Sequence, residues 1–65
     1  MRIEVNGDSH ELDVASLSEV VDRLGLGEAT IATALNGAFV PRGERADTRL
    51  KPGDRIEILG PMQGG

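Results

Sequence analysis

The sequence predicts an α+β fold, with one helix packed across one face of a small mixed sheet. Three observations predict it. Apolar and polar residues alternate on either side of two Asn-Gly dipeptides, Asn6-Gly7 and Asn36-Gly37, which is the pattern of hairpins. Between the hairpins, Ser16-Leu17-Ser18-Glu19 opens a run with apolar residues at helical spacing. A last alternating run, Arg55-Ile56-Glu57-Ile58-Leu59, supplies a final strand. Helix on sheet is one of the few layer arrangements that bury one apolar face of each.

Each element follows in order. Met1, Ile3 and Val5 alternate with Arg2 and Glu4, as in a half-buried strand. Asn6-Gly7-Asp8 is a turn, after which Leu12 and Val14 alternate with Glu11 and Asp13 in a second strand. His10 shares parity with Leu12; a lone His beside a turn is read as a partly exposed packing residue, not a ligand. Ser16 and Glu19 form a capping box, and Leu17, Val20, Val21 and Leu24 make one core-facing stripe. Gly25 and Gly27 end the helix through the left-handed conformation that glycine takes cheaply. Ile31 to Leu35 is a third strand, and Ala38-Phe39-Val40 returns from Asn36-Gly37. A two-residue type I′ turn pairs Leu35 with Ala38. Parity then puts Ile31, Leu35, Ala38 and Val40 on one face, and Ala32, Ala34 and Phe39 on the other. Pro41 has no N–H to give and ends the pairing. Arg42 to Arg49 is polar and irregular, Leu50 is a short apolar anchor, and Lys51-Pro52-Gly53-Asp54 is a turn. In the last strand Ile56 and Ile58 face inward. A hairpin, a crossing helix and three more strands point to the ubiquitin-like β-grasp, in which the last strand is central, pairs with the first and leaves a free C-terminal tail. The domain spans 1–59 and the tail 60–65.

Composition removes several classes of function. The chain has 65 residues, no cysteine and one aromatic residue, Phe39. A domain this small buries only about 60% of the surface its unfolded chain exposes, which leaves little room for an enclosed catalytic pocket. No catalytic residue and no metal site are expected, and without cysteine no sulfur is carried on a thiol. The formal net charge is −4, so a nucleic-acid partner is not expected. The basic residues gather in the second half, from Arg42 to Arg55, where they suit an acidic partner surface or simple solvation. No signal peptide and no apolar run of membrane-spanning length is visible, so a cytoplasmic location is the expectation.

The pattern stops after Leu59. Gly60-Pro61-Met62-Gln63-Gly64-Gly65 has no period and no core-facing set. Fully extended, such a segment reaches roughly 20 Å, long enough to enter another protein's active site. Gly-Gly passes a narrow channel and takes φ values closed to other residues. A terminal glycine carboxylate is also unhindered for activation and attack. At about 7% glycine on average, a chance Gly-Gly ending occurs in roughly 0.5% of chains. The candidate reactive group is therefore the Gly65 carboxylate, with Met62, Gln63 and Gly64 recognised as the tail enters.

Several segments together resemble the ThiS family of sulfur carriers in thiamin biosynthesis. They are Met1-Arg2-Ile3 with Asn6-Gly7; Ala34 to Arg42, containing Asn-Gly-x-x-Val-Pro-Arg; Leu50 to Ile58, containing Gly-Asp-x-Ile-Glu-Ile; and Met62-Gln63-Gly64-Gly65. The resemblance covers essentially the whole chain. It implies that a ThiF-like adenylyltransferase uses ATP to adenylate Gly65, and that the chain itself binds no cofactor. Sulfur from a cysteine desulfurase pathway then makes a thiocarboxylate, which a ThiG-like thiazole synthase consumes. It also implies that the exposed sheet face docks partners, with Phe39 and Leu59 as anchors and Arg42 or Arg55 on the rim. From the residues alone, Phe39 packs either there or beneath its own hairpin, and the arginines read more simply as solvated. Three alternatives share parts of this reading: a carrier for molybdopterin or another product, a protein modifier joined to lysines through Gly65, and a plain interaction module.

Overall fold

The computed structural model describes residues 1–60. Its elements are β1 (Arg2–Val5), β2 (Asp8–Glu11), α1 (Leu17–Arg23), β3 (Ala32–Leu35), β4 (Ala38–Val40), a 3-10 turn (Arg42–Glu44) and β5 (Arg55–Leu59). The sheet has the order β2-β1-β5-β3-β4. The last strand is central, parallel to β1 and antiparallel to β3. This is the β-grasp arrangement, with the helix carried on one face.

Both Asn-Gly turns are type I′: Asn6 and Asn36 lie at φ 50, Gly7 and Gly37 at φ 87. The first turn fixes Val5 opposite Asp8 and Ile3 opposite His10. The second strand therefore starts at Asp8 and ends at Glu11, earlier than the alternation of Glu11 to Val14 implies. A tight turn sets register from its own ends, and β1 has no residues left to pair beyond Met1. Two bonds close the hairpin, from the Leu12 N–H to the Met1 carbonyl (3.0 Å) and from the Met1 ammonium to the Leu12 carbonyl (2.8 Å), and Val14 is buried from the connecting loop.

Ser16 caps the helix as its sequence predicts: Oγ accepts the Glu19 N–H at 3.3 Å. The reciprocal arm differs, since the Glu19 carboxylate accepts from the Ser16 hydroxyl at 3.2 Å. Leu17, Val20 and Val21 are buried on one stripe. At the other end Gly25 is left-handed (φ 76), its N–H bonding the Asp22 carbonyl while Leu26 N–H bonds that of Val21, a Schellman ending. Gly27 is not left-handed. A Cβ there would meet Asp22 Oδ1 at 2.5 Å, a contact that the exposed Asp22 side chain can relieve by turning away.

The core joins Ile3, Val5, Val14, Leu17, Val20, Val40, Leu50 and Ile56. Arg45 is the departure from a solvated 42–49 segment. It is only 7% exposed. Its Nε donates to Thr33 Oγ1 (2.9 Å) and its Nη2 to the Ile31 carbonyl (2.8 Å), while the Thr33 hydroxyl donates to the Val40 carbonyl (2.9 Å). Burying a guanidinium is costly unless its donors are met. Here they are met by Thr33 of β3 and by the Ile31 carbonyl just before it, so the side chain ties the connection after β4 to the sheet.

Candidate functional site

The face of the sheet away from the helix is divided. Register places Phe39 beside Ala34, Ala34 beside Glu57, and Ala32 beside Leu59. Because side chains alternate along strands, these five form a patch over β4, β3 and the end of β5. Phe39 and Leu59 are each 69% exposed and are the exposed large hydrophobics among the described residues. Phe39 therefore does not pack beneath its own hairpin. A shallow open groove of about 400 Å³ lies here, lined by Ala32, Ala34, Phe39, Ile58 and Leu59, with Asn6 and Glu57 at its polar side.

A second, more polar hollow of about 540 Å³ lies toward the two Asn-Gly turns, lined by Glu4, Asn6, Asn36, Arg55 and Glu57. Arg55 stands opposite Glu4 in the parallel pair β1·β5. Thus Phe39 and Leu59 share the groove, and Arg55 lines the neighbouring hollow. Arg42, in the exposed 3-10 turn, lines neither. Glu57 borders both hollows, and among the described residues no cation lies within ion-pair distance of it.

The strand carrying Leu59 is gripped on both sides by asparagine side chains. Asn36 N–H bonds the Arg55 carbonyl (2.7 Å), while Asn36 Oδ1 accepts the Arg55 N–H (2.9 Å). Asn6 N–H bonds the Ile56 carbonyl (2.9 Å), while Asn6 Oδ1 accepts the Ile58 N–H (2.8 Å) and Nδ2 donates to the Ile58 carbonyl (3.0 Å). In each case the main-chain N–H continues the ladder and the side-chain oxygen takes the place of a carbonyl that has turned away.

Asp54, buried at the entry to β5, accepts from Lys51 N–H (2.8 Å) and Asn36 Nδ2 (3.0 Å). Burial pushes its pKa up. The Lys51 N–H, the Asn36 amide and the Lys51 charge outweigh burial and hold the carboxyl below the ordinary aspartate value. No group of three or more His, Cys, Asp or Glu among the described residues is placed to hold a metal ion. No helix among them is long and apolar enough to cross a membrane. Met62, Gln63, Gly64 and Gly65 lie outside the described residues.

The sequence profile of the ThiS family matches residues 2–65. The chain belongs to the ThiS family. Its relatives include the sulfur carrier protein ThiS of Thermus thermophilus, 33% identical over 61 residues, which cover 94% of this chain and 95% of that one. The crystal structure of the thiamine biosynthesis protein ThiS from Geobacter metallireducens superposes with a TM-score of 0.81 at 32% identity, covering all of both chains. A solution structure of a thiamine biosynthesis protein from the same organism gives 0.78 at 32% identity, covering all of this chain and 88% of the other. The ThiS match and the β-grasp sheet agree on one architecture for the whole domain.

Proposed function

We propose that the chain is a sulfur carrier of thiamin thiazole biosynthesis, a co-substrate and not a catalyst, with Gly65 as the attachment point. The observation that carries this is the family match running from residue 2 through residue 65, so that it includes the Gly-Gly segment. The name of the Thermus relative supports the same reading. In this scheme a Gly65 carboxylate oxygen attacks the α-phosphorus of ATP on a ThiF-like enzyme and releases pyrophosphate. The outer sulfur of a desulfurase-borne persulfide then attacks the acyl carbon and displaces AMP, leaving an acyl disulfide. A second thiol attacks the desulfurase sulfur of that S–S bond, forming a disulfide with it and releasing the thiocarboxylate, which gives its sulfur to a ThiG-like synthase.

The groove of Ala34, Phe39 and Leu59 fits the docking role, since Leu59, the last residue of β5, brings its edge to the start of the 60–65 segment. Phe39→Ala is expected to raise the KM of the adenylating enzyme for the carrier about tenfold, the cost of losing an apolar anchor of roughly 1.4 kcal/mol. An unchanged KM would remove Phe39 from the interface. For the carrier role itself, the chain is incubated with a ThiF-like enzyme, ATP, a persulfide source and a thiol reductant, and its intact mass is measured. The expected product is heavier by the difference between one sulfur and one oxygen, with the change located at Gly65. A sulfur found elsewhere, or none, overturns the assignment.

A further inference from the structure

We propose that Asn6 is a positioning residue for the end of β5, acting as a one-residue surrogate strand that holds Leu59 in the docking face. The argument starts from what β5 lacks. On one side its end is paired by β3, with Thr33 opposite Ile58 and Ala32 opposite Leu59. On the other side β1 supplies register partners only as far as Val5 opposite Ile56, and the chain then turns away at Asn6-Gly7. The N–H and C=O of Ile58 point to that vacated side. Without a partner there, the last two residues of the strand are held by one neighbour only, as at a sheet edge.

Asn6 fills the gap with a single side chain. It accepts from the Ile58 N–H at 2.8 Å and donates to the Ile58 carbonyl at 3.0 Å, both across 52 positions of sequence. Few side chains meet all the requirements. The residue must tolerate φ 50 for the type I′ turn, which favours Gly, Asn and Asp. It must also offer one donor and one acceptor on adjacent atoms, which only the amide of those three does. Asn6 thus serves the turn and the strand at once, and a turn-only account explains neither bond.

The consequence lies one residue on. Leu59 directly follows Ile58, and its side chain lines the groove with Phe39. A β5 end free to swing on β3 alone spreads Leu59 over positions that do not match a partner, and binding must then order it again.

The inference rests on the docking role proposed above, and two measurements separate the claims. Asn6→Gly keeps the turn and deletes the clasp; Asn6→Asp keeps turn and acceptor but sets a carboxylate against the Ile58 carbonyl. Amide exchange of the free chain is followed by NMR, and the KM and kcat of a ThiF-like enzyme with ATP are read by pyrophosphate release. For Asn6→Gly, Ile58 N–H is expected to exchange at least about tenfold faster, with KM raised about fivefold to tenfold and kcat kept, the size of one hydrogen bond's net contribution. Asn6→Asp is expected to raise KM at least as far. Unchanged exchange at Ile58 in Asn6→Gly overturns the clasp, with or without an active partner. Faster exchange with unaltered KM, or wild-type KM in Asn6→Asp, overturns the positioning role. If instead Phe39→Ala leaves KM unaltered while Asn6→Gly opens Ile58, the docking reading fails and the clasp stands.

Discussion

A chain ending at Gly64 is expected to fold as the full chain does and to acquire no sulfur. The buried core among the described residues runs from Ile3 to Ile56, so removing one residue beyond it leaves the thermal midpoint in place. The chemistry has no such tolerance. Shortening the segment by one residue withdraws the carboxylate by about 3.3–3.6 Å. Near-attack geometry requires reacting atoms about 3–3.5 Å apart, and a misplacement of about 1 Å already costs on the order of 100-fold in rate. Adenylation of the shortened chain should fall by at least that factor. Pyrophosphate release and intact mass measure it beside a melting curve of the same sample. A shortened chain that still gains sulfur at the full rate would sink the Gly65 assignment, and one that melts early would show that the segment supports the fold.

How much of this was legible beforehand depended on whether the cause was local. Turns, the helix cap and the existence of the last strand were legible, because Asn-Gly, Ser16 with Glu19 and alternation act over a few residues, whereas the central place of that strand followed only from the expected β-grasp topology. The outward parity of Phe39 was legible too, since a two-residue turn fixes it once Leu35 and Ala38 are paired. Its exposure was not, because the residues that fail to cover it lie far along the chain. The second strand was misplaced for a related reason: alternation of Glu11 to Val14 favours a strand there, but the partner strand had run out. Arg45 looked like one more solvated arginine among Arg42, Arg49 and Arg55. Only the approach of β3 supplies the Thr33 hydroxyl and Ile31 carbonyl that make its burial affordable. The asparagine clasps were hidden in the same way. Asn6-Gly7 and Asn36-Gly37 announce turns, and nothing nearby in sequence shows that both amides reach β5.

Asn36→Asp should be among the most damaging single-atom exchanges in the domain, and its damage should ease in acid. Aspartate tolerates the left-handed position, so the turn survives and Oδ1 can still accept the Arg55 N–H. What changes is the other atom, which now faces the buried Asp54 carboxylate in place of a donor at 3.0 Å. A charge-assisted hydrogen bond becomes a like-charge contact, costing about 2–4 kcal/mol near neutral pH. A 65-residue domain has roughly 3–10 kcal/mol of total stability at ordinary per-residue values, so the variant sits close to unfolding. The pH dependence identifies the cause. In the natural chain the Asp54 pKa is lowered, so its contribution is present above the unfolded aspartate value of about 3.9 and is lost as pH falls through the lower folded value. In the variant the two carboxyls share one proton and titrate together above that range. The folded variant then binds more protons than the unfolded chain, so its stability rises as pH falls from 7 toward 5, where the natural chain gains nothing from Asp54. Denaturant midpoints of both chains at pH 7 and pH 5 give the comparison. The gap between them should narrow in acid, whereas a gap that stays constant would mean that the two carboxylates do not meet. Asn36→Gly, which removes both side-chain bonds, to Asp54 and from the Arg55 N–H, without adding charge, should show no such pH dependence.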